Sequence, residues 1–182
     1  AEIIDIGAYS SRPYARHIGL TEEWQRIEKT LKIINKNFPN ILISIDTFRS
    51  EIARRCIDNG ANIINDISAG NLDHKMFDVV TELNVPYIMM HMKGTPQNMQ
   101  KKPHYKCIEK EVIEYFYSKV KYLNDNGFKK IIIDPGFGFG KTIEHNYKLL
   151  NNLEKLHILK LPIMIGISRK SMVYKVLETD AK

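Results

Sequence analysis

Residues 131–142 have the sequence IIIDPGFGFGKT, a short apolar run that ends on a carboxylate and continues into a glycine-rich loop. Five other apolar runs also end on a polar or glycine residue, and they are residues 3–7, 41–46, 62–66, 87–91 and 163–166. Segments with helical periodicity separate these runs, so the chain alternates between predicted strands and predicted helices. We therefore predict an α/β fold built from about six βα units.

The predicted strands are rich in Ile, Leu and Met along their whole length. Such runs are typical of strands that are buried on both faces, as in a parallel sheet covered by helices. The carboxyl ends of parallel strands lie at one edge, where α/β enzymes bind their ligands. Six units leave two architectures open, an open doubly wound sheet and part of a (β/α)₈ barrel.

The bulk composition is that of a soluble globular protein, with 182 residues, 43% hydrophobic and 26% charged. We predict a single domain over residues 1–182. No apolar run approaches the ~20 residues that a membrane-spanning helix needs. The net charge of +6 is spread over many predicted helix faces, so we expect neither a nucleic-acid partner nor a membrane. The two cysteines indicate a reducing compartment.

Asp46 and Asn65 each lie at the end of a predicted strand. The carboxylate of Asp46 can accept hydrogen bonds from a ligand, or it can cap the helix that follows. The amide of Asn65 has a donor and an acceptor, which suits the edge of a heterocycle, but it can also bond its own backbone in a turn. Each residue alone leaves both interpretations open.

Three alternate glycines follow Asp134 and allow a ligand to approach the backbone closely. Their order before Lys141 does not match the G-x-x-x-x-G-K-[ST] pattern of nucleotide-binding loops. Phe137 and Phe139 follow neither a helical nor a strand period. We therefore predict that both are loop aromatics able to stack on a flat substrate.

Two further segments carry cations. Arg169 and Lys170 lie where a strand is predicted to meet a helix, a place where cations oppose the helix dipole, so we predict that they bind a ligand. Ser11 and Arg12, in the first long loop, suit a phosphate or form a surface turn. His91 is predicted to be a core residue, and the sequence has no His/Cys cluster typical of zinc.

Together these segments resemble dihydropteroate synthase, a family of folate biosynthesis. Each motif is weak by itself, but six occur in the family's order over the whole chain. The matching segments are residues 4–13, 44–47, 64–68, 90–96, 134–142 and 166–171. The resemblance implies a (β/α)₈ barrel that condenses 6-hydroxymethyl-7,8-dihydropterin diphosphate with p-aminobenzoate, giving 7,8-dihydropteroate and diphosphate. It also implies Mg²⁺ as a cofactor that accompanies the diphosphate, a homodimeric parent and a cytoplasmic location.

The resemblance also assigns site residues by position. The expected pterin-binding residues are Asp46, Asn65, Met90, Asp134, Gly138 and Lys170. Catalysis is expected to depend on the two aspartates and the lysine of that set, while Met90 forms an apolar floor. The residues expected at p-aminobenzoate and the diphosphate are Ser11, Arg12, Phe139 and Ser168.

Two elements of the family have no counterpart in this sequence. They are a first strand whose Asn binds the metal–diphosphate and a last strand with an Arg-x-His anion grip. The chain is therefore expected to be an incomplete barrel with strands two to seven and no metal ligand of its own. Two alternatives stay open. One is a pterin-binding methyltransferase module, which the Ser-Arg-Pro loop and the Ser-Arg-Lys turn disfavour, and the other is a non-catalytic pterin-binding fragment.

Overall fold

The computed structural model describes residues 1–10, 12, 15–99 and 103–180. Strands and helices alternate along the chain, as the sequence predicts. The elements are β1 (Ile3–Gly7), α1 (Leu20–Asn37), β2 (Leu42–Asp46), α2 (Ser50–Asp58), β3 (Ile63–Asp66), α3 (Met76–Leu83), β4 (Tyr87–Met90), α4 (Ile108–Asp125), β5 (Ile131–Asp134), α5 (Ile143–Asn151), a 3₁₀ helix (Leu153–Leu159) and α6 (Ser171–Tyr174).

The five strands form one parallel sheet in chain order, β1-β2-β3-β4-β5. The register pairs Gly7 with Asp46 and Asp46 with Asn65. At the other side of the sheet, Met90 is paired with Asp134. Because all strands run in the same direction, their carboxyl ends lie at one edge, which we call the carboxyl edge. The predicted α/β class with a parallel sheet is confirmed, and the described sheet is an open part of a barrel.

The predicted sixth strand, residues 163–166, is present only as a single bridge between Ile133 and Ile163. Ile133 donates its N–H to the carbonyl of Pro162 and accepts a hydrogen bond from the N–H of Met164. Pro162 has no N–H for further pairing, and Ile165 is 42% exposed. The helix predicted to begin near Lys170 is present but short, since α6 ends at Tyr174.

The core lies between the sheet and the helices, and the burial of each element follows its sequence pattern. Ile43 and Ile45 of β2 and Ile27 and Leu31 of α1 are fully buried. By contrast, β1 alternates between exposed and half-buried residues, because it has a neighbouring strand on one side only. None of the helices in the described ranges is both long enough and apolar enough to span a bilayer.

The loops after β4 and β5 pack backbone against backbone. Gly136 has a φ of +67°, and a Cβ atom built there would lie 2.1 Å from the carbonyl oxygen of His91. Gly140 has a φ of +61°, and its Cβ would lie 2.5 Å from the carbonyl oxygen of Lys93. Only glycine allows both the left-handed backbone and this approach. The alternate glycines therefore have a structural role inside the protein itself.

We predict that Gly136→Ala destabilises the fold by about 3 kcal/mol, because it adds a clash with a backbone carbonyl to the cost of a positive φ. Gly127→Ala is the matched control. Gly127 also has a positive φ, +82°, but its Cβ would have nothing within 4 Å, so the expected cost is about 1 kcal/mol. Urea unfolding of both variants measures the difference, and equal losses would contradict the close packing of the two loops.

Candidate functional site

Asp46 and Asn65 are cross-strand neighbours at the carboxyl edge, and both are half-buried. The Asn65 amide donates from Nδ2 to Oδ2 of Asp5, at 3.3 Å, rather than bonding its own backbone in a turn. Helix α2 follows Arg49, whose side chain makes no capping bond, and the N–H of Ser50 donates to Oδ2 of Asp73 at 2.8 Å, so Asp46 is not its cap. Helix capping by Asp46 and a backbone-bonded turn at Asn65, the two local alternatives left open by the sequence, are therefore excluded. The Asp5 contact had no signal in the sequence, since β1 and β3 are not adjacent in the chain.

The Asp46 carboxyl lies in an acidic surrounding. Burial, followed by the negative charges of Asp5, Asp66 and Glu23, raises its pKa to about 7. Withdrawal from water and nearby like charges both disfavour the ionised form. The site therefore suits a ligand that brings N–H donors or positive charge to this carboxyl.

Asp134 and Lys170 form the second part of the site. Asp134 is 5% exposed, and its Oδ1 accepts a hydrogen bond of 2.7 Å from the N–H of Gly136. Burial raises the pKa of Asp134, while the Gly136 N–H and the positive charges of Lys170 and Lys141 oppose the rise. Burial likewise lowers the pKa of Lys170, and the charge of Asp134 opposes that change.

Lys170 is held over the glycine-rich loop. Its Nζ donates to the carbonyl of Phe137 and lies 4.8 Å from the ring centroid of Phe139. A Cβ at Gly138 would lie 3.3 Å from Cδ of Lys170, so the absence of a side chain there gives the lysine its space. The Gly138 N–H in turn donates to Oδ1 of Asn146 at 2.8 Å. The loop, Asp134 and Lys170 thus form one connected unit.

An apolar surface accompanies these polar groups. Phe139 packs against a small buried cluster that consists of Ile67, Met90, Met92 and Met99. Met90 is therefore buried among apolar side chains, 3% exposed. Phe137 lies in the loop as predicted, but the prediction that it can stack on a flat substrate is wrong, because its side chain is fully buried in the main core. The glycines on both sides have positive φ and turn the chain so that the Phe137 side chain enters the core. Its burial contributes about 2 kcal/mol to the free energy of folding.

The other expected site residues occupy less structured positions. Ser168 is exposed, two residues before Lys170. Arg12 is exposed, and its N–H donates to Oγ of Ser10 at 3.4 Å. Ser11 lies outside the described residues. His91 is 4% exposed, and its prediction as a core residue is confirmed.

The first long loop is held at both ends by Arg49. The guanidinium lies 5.3 Å from the ring centroid of Tyr9, which precedes Arg12, and it donates to the carbonyl of Ile18 at 2.7 Å. Arg49 also pairs with Glu23, a fully buried carboxylate that accepts a second hydrogen bond from Thr47 at 2.7 Å. Sequence patterns do not predict this network, because its members come from three separate segments.

Asp66 differs from its neighbours because its hydrogen bonds are made within the fold. Its carboxylate accepts from the N–H and hydroxyl of Ser68 and from the N–H of Gly70. A fourth bond, of 2.8 Å, comes from the hydroxyl of Tyr87. Asp66 therefore shapes the turn after β3 and is not a candidate ligand-binding group.

The pattern of the family described as "Pterin binding enzyme" matches residues 1–182. The chain belongs to this family. It is 38% identical over 179 residues to a dihydropteroate synthase of Escherichia coli strain K12, with 97% of this chain and 63% of the relative covered. The chain thus spans less than two thirds of the length of that pterin-binding relative.

Solved structures of the same family agree with the fold. A Yersinia pestis dihydropteroate synthase in complex with a sulfonamide drug is 34% identical, with a TM-score of 0.94, over 100% of this chain and 66% of the other. A Xanthomonas albilineans dihydropteroate synthase in complex with 7,8-dihydropteroate is 30% identical, with a TM-score of 0.84, over 98% of this chain and 62% of the other. The open sheet therefore corresponds to part of the barrel of these enzymes.

We predict that Asp46→Asn raises the free energy of unfolding at pH 8 by on the order of 2 kcal/mol. At pH 4 the substitution should change the free energy of unfolding little. With a pKa of about 7 when folded and an ordinary value of 3.8, Asp46 retains a proton in the folded state that the unfolded chain releases. The wild type therefore loses stability as the pH rises from about 4 to about 7. The variant does not undergo this loss, because an amide cannot ionise.

Urea unfolding at both pH values measures this effect. Asp125→Asn, at an exposed aspartate of α4 that pairs with Lys121, is the control and should gain no stability at pH 8. Equal stability of Asp46→Asn and wild type at pH 8 would show that Asp46 is ionised at little cost in the folded protein.

Proposed function

We propose that the protein to which this chain belongs is a dihydropteroate synthase. It condenses 6-hydroxymethyl-7,8-dihydropterin diphosphate with p-aminobenzoate to give 7,8-dihydropteroate and diphosphate. The observation that carries the proposal is the presence of two pairs of polar side chains at the carboxyl edge. Asp46 is the cross-strand neighbour of Asn65, and the charge of Lys170 acts on Asp134. The family relatives, one of them solved with 7,8-dihydropteroate, support it.

The proposed pterin site uses the chemistry of these four side chains. A pterin is a flat ring with several N–H groups, ring nitrogens and one carbonyl at its edge. Asp134 accepts from the guanidine-like edge, and Asp46 and Asn65 complete the ring's polar contacts. Lys170 donates to the ring carbonyl or a ring nitrogen. Met90 and Gly138 give the ring an apolar floor and a close backbone contact.

The second substrate and the leaving group are assigned to the neighbouring loops. Phe139 and Ser168 flank the ring of p-aminobenzoate, and Ser11 and Arg12 approach the diphosphate, for which a guanidinium is well suited. The half-buried position of Phe139 beside Lys170 supports its part in this assignment. The roles of Ser11, Arg12 and Ser168 follow from their positions in the family motifs.

The proposed catalysis is electrostatic. When the diphosphate leaves, positive charge spreads over the pterin and its methylene carbon, and the carbon then accepts the amino group of p-aminobenzoate. Carboxylates held near the ring stabilise this cationic state more than the neutral substrate, which lowers the barrier. Because Asp46 and Asp134 are largely withdrawn from water, their charge is less screened than it would be at the surface.

Mg²⁺ is proposed to accompany the diphosphate, whose negative charge it neutralises. The described residues include no group of three or more His, Cys, Asp or Glu side chains that could hold a metal ion. These residues do not make a metal site, and no step of the proposed reaction uses a metal held by this chain. The parent is further proposed to be a cytoplasmic homodimer that takes small molecules as substrates and has neither nucleic acid nor a membrane as a partner.

We predict that Asp134→Ala abolishes pterin binding in the full-length parent. Asp134→Asn should weaken the affinity by about 100-fold, because it removes a charge-assisted hydrogen bond that contributes about 3 kcal/mol. Asn can still accept from the Gly136 N–H, so this variant keeps the loop in place. Calorimetric titration with 6-hydroxymethylpterin measures both, with Asp125→Ala as a control that should bind like wild type. Unchanged affinity in Asp134→Asn would remove this carboxylate from the site.

We also predict that the 182-residue chain alone binds pterin with little or no turnover, since it spans 63% of its Escherichia coli relative. Formation of 7,8-dihydropteroate, followed by chromatography, compares the chain with the full-length parent. Turnover by the chain at the rate of the parent would contradict this prediction. Absence of both pterin binding and product in the parent would overturn the proposed function.

A further inference from the structure

Lys141 is a buried lysine at the end of the glycine-rich loop, 4% exposed. Its Nζ lies within hydrogen-bond distance of four acceptors. They are Nδ1 of His91 at 2.9 Å and the carbonyl oxygens of Gly136 at 2.9 Å, Phe139 at 3.1 Å and His91 at 3.2 Å. These acceptors belong to the loops after β4 and β5, so one side chain joins the two loops.

The number of acceptors favours the charged form of this amine. Three of the four groups are carbonyls, which only accept, and an ammonium has three N–H donors where a neutral amine has two. Burial opposes the charge and lowers the pKa of Lys141 to about 7. The carboxylate of Asp134 works against that lowering, whereas the charge of Lys170 adds to it.

The two histidines near Lys141 do not replace its charge at this position. Burial lowers the pKa of His91 well below its ordinary range, and the charges of Lys141 and Lys93 lower it further, so its ring is neutral at physiological pH. Burial also lowers the pKa of His145, with Lys141 among the charges that contribute. Lys141 is thus a buried cation linked to Asp134 through Gly136, whose carbonyl accepts from Lys141 and whose N–H donates to Asp134.

Asn146 holds the same loop without contributing charge. Its Oδ1 accepts from the N–H of Gly138 at 2.8 Å, and its Nδ2 donates to the carbonyl of Thr142 at 2.7 Å. Lys170, through the carbonyl of Phe137, and Tyr105, through the carbonyl of Gly140 at 2.8 Å, also bind this loop. Of the side chains that hold this loop, Lys141 and Lys170 carry the positive charges that favour ionisation of Asp134, and only Lys141 also bonds to the loop after β4.

We propose that Lys141 is a positioning residue, whose buried charge joins the loops after β4 and β5 and keeps the Asp134 carboxylate ionised where a ligand meets it. Lys141 does not itself contact the ligand. It acts through Asp134 and through the backbone of residues 136–139. The part of this proposal that concerns pterin affinity rests on the function proposed above.

The test follows the Asp134 carboxyl directly by ¹³C NMR titration of the 182-residue chain, with the signal assigned by its loss in Asp134→Asn. In Lys141→Gln, which keeps two N–H donors and removes the charge, the titration midpoint of Asp134 should rise by about one pH unit or more. Lys141→Met, which removes the donors as well, should show the same rise. The control is Lys129→Met, at an exposed lysine, and should leave the midpoint unchanged.

An unchanged Asp134 midpoint in a folded Lys141→Gln chain would overturn the proposal. Should Lys141→Met fail to fold, Lys141→Gln decides the question, because it retains hydrogen bonding to the carbonyls. A loss of stability without a shift of the Asp134 midpoint would mean that Lys141 has only a structural role. This result would also overturn the proposal.

A second measurement connects the inference to binding. The affinity for 6-hydroxymethylpterin, measured from pH 5 to pH 9 in the parent, should be lower in Lys141→Gln. The fall in affinity on the acidic side of the pH profile should begin at a higher pH in this variant. If the wild-type parent fails to bind the pterin, the proposed function fails, and the NMR titration still decides the role of Lys141. If the wild type binds and Lys141→Gln has the same pH profile, Lys141 is not a positioning residue.

Discussion

Parallel pairing of consecutive strands is the constraint on which the rest of this structure depends. Each strand must return to the same end of the sheet before the next begins, so every crossover passes through a helix and every carboxyl end reaches one edge. Asp46, Asn65 and Asp134 are far apart in the sequence and lie along the same edge for this reason. The core below them needs only to be apolar and well packed, whereas the loops at this edge carry the chemistry.

Charges at the carboxyl edge are held at a cost. Burial raises the pKa values of Asp46 and Asp134 and lowers that of Lys170, so in each case the fold disfavours the charged state. Burial raises the pKa of Asp66 as well, but four hydrogen bonds from its surroundings oppose the rise. A buried acid whose charge is disfavoured in the free protein can gain from a ligand that supplies N–H donors or positive charge. Asp66 differs from its neighbour Asp46 because donors of the fold itself already occupy its carboxylate.

The glycine-rich loop illustrates how the backbone itself forms part of a site. Gly136 and Gly140 allow the loop after β5 to lie against the loop after β4 at distances that exclude any other residue. The same loop turns Phe137 into the core and leaves Phe139 beside Lys170. A rigid frame of this kind holds Asp134 and the Phe139 ring in fixed positions before a ligand arrives, so little ordering remains to be done on binding.

The sequence by itself determined the α/β alternation, the parallel class of the sheet and the polar residues at the strand ends, because these follow from local periodicity and from where apolar runs stop. Through motifs in family order, it also predicts Asp46, Asn65, Asp134 and Lys170 as a set of pterin-binding residues. Only the tertiary structure decided that residues 163–166 make a single bridge, that Phe137 is buried, and that Lys141 lies among carbonyls of two loops. The contact between Asp5 and Asn65 and the network of Arg49 belong to the same group. Burial and hydrogen bonding at these positions depend on which distant segments face one another, and that information is absent from the spacing of residues along the chain.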